Sequence, residues 1–257
     1  MTALHVEAAR RAVSRLSTDP RIAGVAAVGS WLGGMDEFSD LDLVIAVHPE
    51  HEQAVRAERR AIAETLGPLV ACFTGEHVGE PRLLICLYGP PLLHVDLKFV
   101  ALDDLARRVE EPSILWQRDG ALDRALEGTS AHYPQPDPQW IEDRFWIWVH
   151  YAALKIGRGE LFEAIDFLAY LRAKVLGPLL LARAGHTPNR VRRIEQRVPD
   201  SVGALRETVS AHDRADCGRA MKAAVALYRE LRADQPITRS QAEAESMRFL
   251  DEVLDRV

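Results

Sequence analysis

The 257-residue chain has few cysteines, no long apolar run and no excess of positive charge. Its three cysteines, Cys72, Cys86 and Cys217, are odd in number and share no metal-ligand spacing. That usage excludes a disulfide framework and predicts reduced thiols in a cytoplasmic protein. The most apolar stretch, Val175 to Ala182, falls far short of the ~20 residues that span a bilayer. Met1 to Glu7 carries no signal-peptide pattern, so a soluble protein is expected. Lys and Arg total 32 against 38 Asp and Glu, a net charge of −6. This balance argues against a chain that grips a nucleic-acid backbone over many phosphates, and it favours a small-molecule partner, cationic ones included. Low-complexity tracts and a clear internal repeat are also missing.

What is present is concentrated near residue 30. Gly29-Ser30 is followed, nine residues later, by Asp40-Leu41-Asp42-Leu43. Leu41 to Val47 has the composition of a buried strand. An unpaired carboxylate in such a segment is costly unless it meets a cation or a donor. Alternate strand residues share a face and lie about 6.6 Å apart, so Asp40 and Asp42 can converge on one hard cation. Mg²⁺ suits the pair, since it accepts one or two protein carboxylates and completes its shell with water and substrate phosphate. A second acid strand follows, Leu93 to Val100, in which Leu93, Val95, Leu97 and Phe99 alternate with His94, Asp96 and Lys98.

Along the chain, helices are expected over 4–17 and 49–66 and strands over 22–28, 41–47, 69–73, 83–88 and 92–100. A short helix follows Asp103, and 113–128 reads as mixed, with a helix near 120–127. Tyr133 to Pro138 contains three prolines and marks a linker. Beyond it only helices are expected, over 139–156, 160–184, 190–197, 202–209, 214–232 and 239–256. On the helix after the linker, Trp140, Phe145 and Trp148 are spaced as a core-facing stripe.

Gly-Ser, a spacer of this length and Asp-x-Asp resemble the signature of the nucleotidyltransferase (polymerase β-like) superfamily, over roughly the first hundred residues. The order of α/β followed by all-α resembles its two-domain antibiotic nucleotidyltransferases, of aminoglycoside or lincosamide type. The resemblance implies an α+β protein: a nucleotidyltransferase sheet domain over 1–133, then a helical domain over 134–257 that completes an acceptor cleft. It implies that Gly29 and Ser30 approach the nucleotide phosphates, with Ser39 assisting, and that Asp40 and Asp42 hold Mg²⁺. Asp96 is then a third metal ligand or the base for the acceptor hydroxyl. Lys98 is a phosphate contact or the partner of Asp96. Lys155-x-x-Arg158-Gly159-Glu160 is similar to a stretch opening a long helix in the second domain of such enzymes. Lys155 would there reach the triphosphate, and Glu160 would bind a cationic acceptor or cap its helix.

The activity this implies is transfer of a nucleoside monophosphate, AMP from ATP, to a hydroxyl of a small acceptor with release of pyrophosphate. Three alternatives stand beside it. They are AMP transfer to a partner protein, as antitoxins of the superfamily perform, a nucleotide-binding module without catalysis, and a metal-dependent phosphohydrolase.

Overall fold

The computed structural model describes residues 2–232 and 237–256. The protein is α+β and divides into two compact units, Met1–Tyr133 and Pro134–Val257. The first unit runs α1 (Ala3–Leu16), β1 (Ile22–Val28), β2 (Leu41–Val47), α2 (Glu52–Thr65), β3 (Leu69–Gly75), β4 (Glu80–Tyr88), β5 (Leu93–Ala101), β6 (Ser113–Gln117) and α3 (Ala121–Leu126). Its single sheet has the order β3-β4-β5-β2-β1-β6. Every neighbour is antiparallel except the central β2–β5 pair, which is parallel.

One face of this sheet is apolar and closed. Leu41, Leu43 and Ile45 of β2 pack with Val95, Leu97 and Phe99 of β5 under the small residues Ala8, Ala9 and Ala12 of α1 and under Val55 and Ala63 of α2. The alternation of β5 therefore works as its sequence predicts: its odd positions are buried, while His94 is exposed and Asp96 and Lys98 are half-buried on the other face. The far end of that second face is covered, with Ala23, Ala26, Ala46, Val100 and the α3 residue Leu122 packed together. The near end carries the acids.

Among its described residues the second unit has helices and no strand: α4 (Pro138–Arg158), α5 (Leu161–Leu171), a π-helical turn over Arg172–Leu176, α6 (Gly177–Arg183), α7 (Ile194–Arg197), α8 (Val202–Arg206), α9 (Arg214–Arg232) and α10 (Ser240–Asp255). Asp137 caps α4 by accepting from the Gln139 and Trp140 N–H groups at 2.9 and 3.0 Å, with Pro138 in the first turn. Gly159, at φ +74°, ends it. The core-facing stripe of α4 differs from the expected one. Phe145 and Trp146 are fully buried, while Trp140 is 43% exposed. Trp140 instead begins an outer ladder of rings that continues through Trp148, Tyr170, Phe167 and Tyr151, with centroid spacings of 5.7, 5.6, 5.6 and 5.0 Å. Glu142 is buried beneath α4 and satisfied there. It accepts from Trp146 Nε1 at 2.9 Å, Tyr228 OH at 2.6 Å, the Arg239 N–H at 2.9 Å and Arg232 at 3.1 Å.

Candidate functional site

Parallel pairing of β2 and β5 sets Asp42 directly beside Asp96. Asp40, two residues before Asp42, falls on the same face. Ligand oxygens of Asp40, Asp42 and Asp96 all lie within 4.8 Å of one another, and each residue is half-buried. Three carboxylates this close repel one another. Burial pushes the Asp96 carboxyl up from its ordinary value, and the Asp40 charge adds to that, while a hydrogen bond from His94 partly opposes it. His94 Nε2 lies 2.9 Å from Asp96 Oδ1. An all-oxygen, convergent donor set with surplus negative charge fits a hard divalent cation such as Mg²⁺.

The Gly-Ser turn is built against these acids. β1 ends at Val28, paired with Asp42, and Gly29 opens a short 3₁₀ turn over Gly29–Leu32. Gly29 has φ +62°, and a Cβ there would stand 2.2 Å from Asp42 Oδ2. Glycine is needed twice over, for the left-handed backbone and for the room that the carboxylate takes. Ser30 is buried and its hydroxyl donates to the Asp40 carbonyl at 3.3 Å, which ties the turn to the acid segment. The Ser39 hydroxyl accepts from the Asp36 N–H and donates to Asp36 Oδ1, both at 3.0 Å, and so closes the loop before Asp40.

Lys98 follows Asp96 by one pleat on the same face. Its ammonium sits 2.8 Å from Glu80, which also holds Arg82. The Arg82 hydrogen bonds and the Lys98 ammonium pull the Glu80 carboxyl down to about 2 against the opposing effect of burial. A cavity of about 150 Å³ opens beside this row, floored by Val28, Val44 and Val100 and rimmed by Lys98, Arg82 and Glu110. In the second unit, Lys155 is ion-paired with Glu160 at 2.7 Å and with Glu163.

Two residues enter the site that the sequence did not single out. Glu110 Oε1 accepts the Gly29 N–H at 3.1 Å from 81 positions away. His5 of α1 is buried and its Nε2 donates to the Ser39 carbonyl at 2.8 Å, which holds the approach to Asp40. No local signal marks either one, because each acts through a contact distant in sequence.

No family model matches the chain, and no curated protein matches it. Among solved structures it is similar to an aminoglycoside 6-adenyltransferase from Bacillus subtilis, at 15% identity and a TM-score of 0.37, over 97% of this chain and 96% of that one. Among the described residues no helix is long and apolar enough to cross a membrane.

Proposed function

We propose that the protein is a Mg²⁺-dependent nucleotidyltransferase that moves a nucleoside monophosphate, AMP from ATP, to a hydroxyl of a small acceptor such as an aminoglycoside or lincosamide. The observation that carries this reading is the convergence of Asp40, Asp42 and Asp96 on a Gly-Ser turn whose glycine has no room for a side chain against Asp42.

Asp40 and Asp42 would hold Mg²⁺, with Asp96 as a third ligand or as the base, and the bound ion would neutralise charge on the triphosphate. The chain's own groups do the rest. The Gly29 N–H, on release from Glu110, and the Ser30 hydroxyl, on release from the Asp40 carbonyl, would bind the phosphates. The acceptor oxygen bonds to the α-phosphorus, the bond from that phosphorus to the bridging oxygen breaks, and pyrophosphate leaves with the electron pair. Asp96 suits the proton from the acceptor hydroxyl in its base role, because burial already favours its protonated form. Lys98 would contact a phosphate on leaving Glu80, which Arg82 continues to pair. Ser39 serves the nucleotide by shaping the turn before Asp40.

The test is incubation with ATP, Mg²⁺ and a panel of hydroxylated small molecules, following pyrophosphate release and the acceptor's gain of AMP by mass spectrometry. Asp42→Asn should lose both signals while keeping its melting transition. Release of ADP and phosphate without a modified acceptor would instead identify a hydrolase and end this reading.

A further inference from the structure

A second feature lies wholly within the helical unit, and it does not depend on the reading of the acids. Between Arg172 and Arg206 there are eight Lys and Arg but only two Asp and Glu, in a chain whose net charge is −6. The fold gathers four of these arginines, Arg172, Arg190, Arg192 and Arg206, around one cavity of about 790 Å³, with Glu195 as the single acid in its lining. That volume is within the roughly 300–1,000 Å³ of small-molecule sites. Val191, Ile194 and Leu205 give the cavity an apolar wall.

Among the described residues none of the four guanidinium groups has a carboxylate partner within ion-pair distance, although arginines elsewhere in this unit, such as Arg219, Arg229 and Arg248, do. Arg172 is the half-buried member. It gives one N–H to the Thr208 carbonyl at 2.5 Å, and burial holds its guanidinium below the ordinary arginine value. A cation kept from water without a counter-charge is an unfavourable arrangement that an anion relieves.

The backbone around the cavity is equally specific. Arg172 opens the π-turn, a geometry found often at functional sites. Arg190 and Arg193 both adopt positive φ, +53° and +55°, which costs free energy in a non-glycine residue. A Cβ on Gly177 would stand 2.3 Å from the Arg190 carbonyl and 2.8 Å from that of Arg172. The backbone of the loop at Arg190 is thus seated close against the turn at Gly177, with no room for a side chain between them.

We propose that this cavity binds a small phosphate-bearing molecule of multiple negative charge, held by Arg172, Arg190, Arg192 and Arg206 with its apolar part against Val191, Ile194 and Leu205. Guanidinium forks match phosphate oxygens in pairs, and a phosphate ester brings the charge density that four arginines facing one acid leave unmet. The concave shape and apolar wall suit a small molecule better than a nucleic-acid backbone.

The experiment is calorimetry on the full chain in EDTA, which silences metal-dependent binding at the acids. The probes are inorganic pyrophosphate and ADP, with citrate and a single-stranded oligoribonucleotide for comparison. We expect a phosphate probe to bind with Kd below about 1 mM, unchanged in Asp42→Asn. The exposed pair Arg190→Glu with Arg206→Glu should weaken it more than tenfold at unchanged melting temperature, and Arg172→Met should do the same where that variant folds. The proposal is overturned if neither phosphate probe binds, if only citrate or the oligoribonucleotide binds, if Asp42→Asn abolishes binding, or if the charge reversals leave affinity unchanged.

Discussion

At the scale of single residues the site is decided by space and charge at Gly29. Its φ of +62° already makes alanine unfavourable there, by about 1–2 kcal/mol. The added methyl would also displace Asp42 Oδ2, so Gly29→Ala should lose Mg²⁺-dependent nucleotide binding far beyond its modest fall in melting temperature. Calorimetry beside a thermal melt separates the two effects, and normal binding would detach the glycine from the metal site. Glu110 occupies the Gly29 N–H, a donor that the proposed chemistry assigns to phosphate. A carboxylate there repels the incoming triphosphate, so Glu110→Ala should tighten triphosphate binding several-fold; weaker binding would make Glu110 part of the binding machinery instead. Asp96 adds a pH dependence. Because its folded value is raised, its ionised form costs stability as pH rises through that value, and a divalent cation at the proposed site would offset the cost by binding the ionised form. The gain in melting temperature on adding Mg²⁺ should therefore be large near neutrality and fade on acidification toward about pH 4, where carboxylates protonate. A gain independent of pH would place the ion elsewhere.

At the scale of elements, what was legible in the sequence followed from local chemistry, and what was not followed from partners. β1, β2 and α9 occupy the expected spans because apolar runs with clear ends specify them. Asp40, Asp42 and Asp96 could be singled out since strand alternation puts carboxylates where an apolar residue would otherwise be neutral. β6 could not. Ser113 to Gln117 is short and lacks alternation, and it becomes a strand by pairing with the edge of β1, Val25 with Trp116 and Ala27 with Ser113. That pairing brings Glu110 to the end of β1 and hence to Gly29, so a sequence without a strand signal there carries no signal for Glu110 either. The long helix expected over 160–184 is instead interrupted over Arg172–Leu176. Pro178 lacks an N–H and its ring crowds the carbonyl four residues back, and a widened turn accommodates both. Elsewhere in this unit the Glu142 network should dominate stability. Burial pushes its carboxyl up, but donation from the Arg239 N–H, Tyr228 and Trp146, with the Arg232 charge, outweighs that and holds it below the usual range. Its stabilisation is present above the unfolded value of roughly 4.3 and is lost as pH falls through the folded one. Glu142→Ala should cost about 3–5 kcal/mol at neutral pH, and the deficit in chemical denaturation should shrink in acid. A deficit constant with pH would mean that volume, and not charge, is what Glu142 supplies.

At the scale of the whole molecule the charge is unevenly shared. Residues 1–133 hold 13 Lys and Arg against 20 Asp and Glu, and residues 134–257 hold 19 against 18. All of the net negative charge therefore belongs to the unit that carries the acids. Under the proposed function an anionic triphosphate would approach that unit against its field, and a divalent counter-ion would lower that repulsion. A cationic acceptor approaches with the field and is concentrated by it. The two proposed substrates should thus respond to salt in opposite senses, and the acceptor's response can be isolated by saturating with ATP and Mg²⁺. Raising ionic strength from about 0.05 to about 0.3 M shortens the range over which exposed charges act. Under those conditions kcat/KM should fall several-fold for a polycationic aminoglycoside and stay nearly level for an uncharged hydroxylated acceptor. A lincosamide, with a single amine, should fall between them. Equal salt responses for all three would show that the acidic unit does not select its acceptor by charge, and the search would then turn to acceptors recognised by shape, for which the exposed ring ladder from Trp140 to Tyr151 is the surface to mutate first.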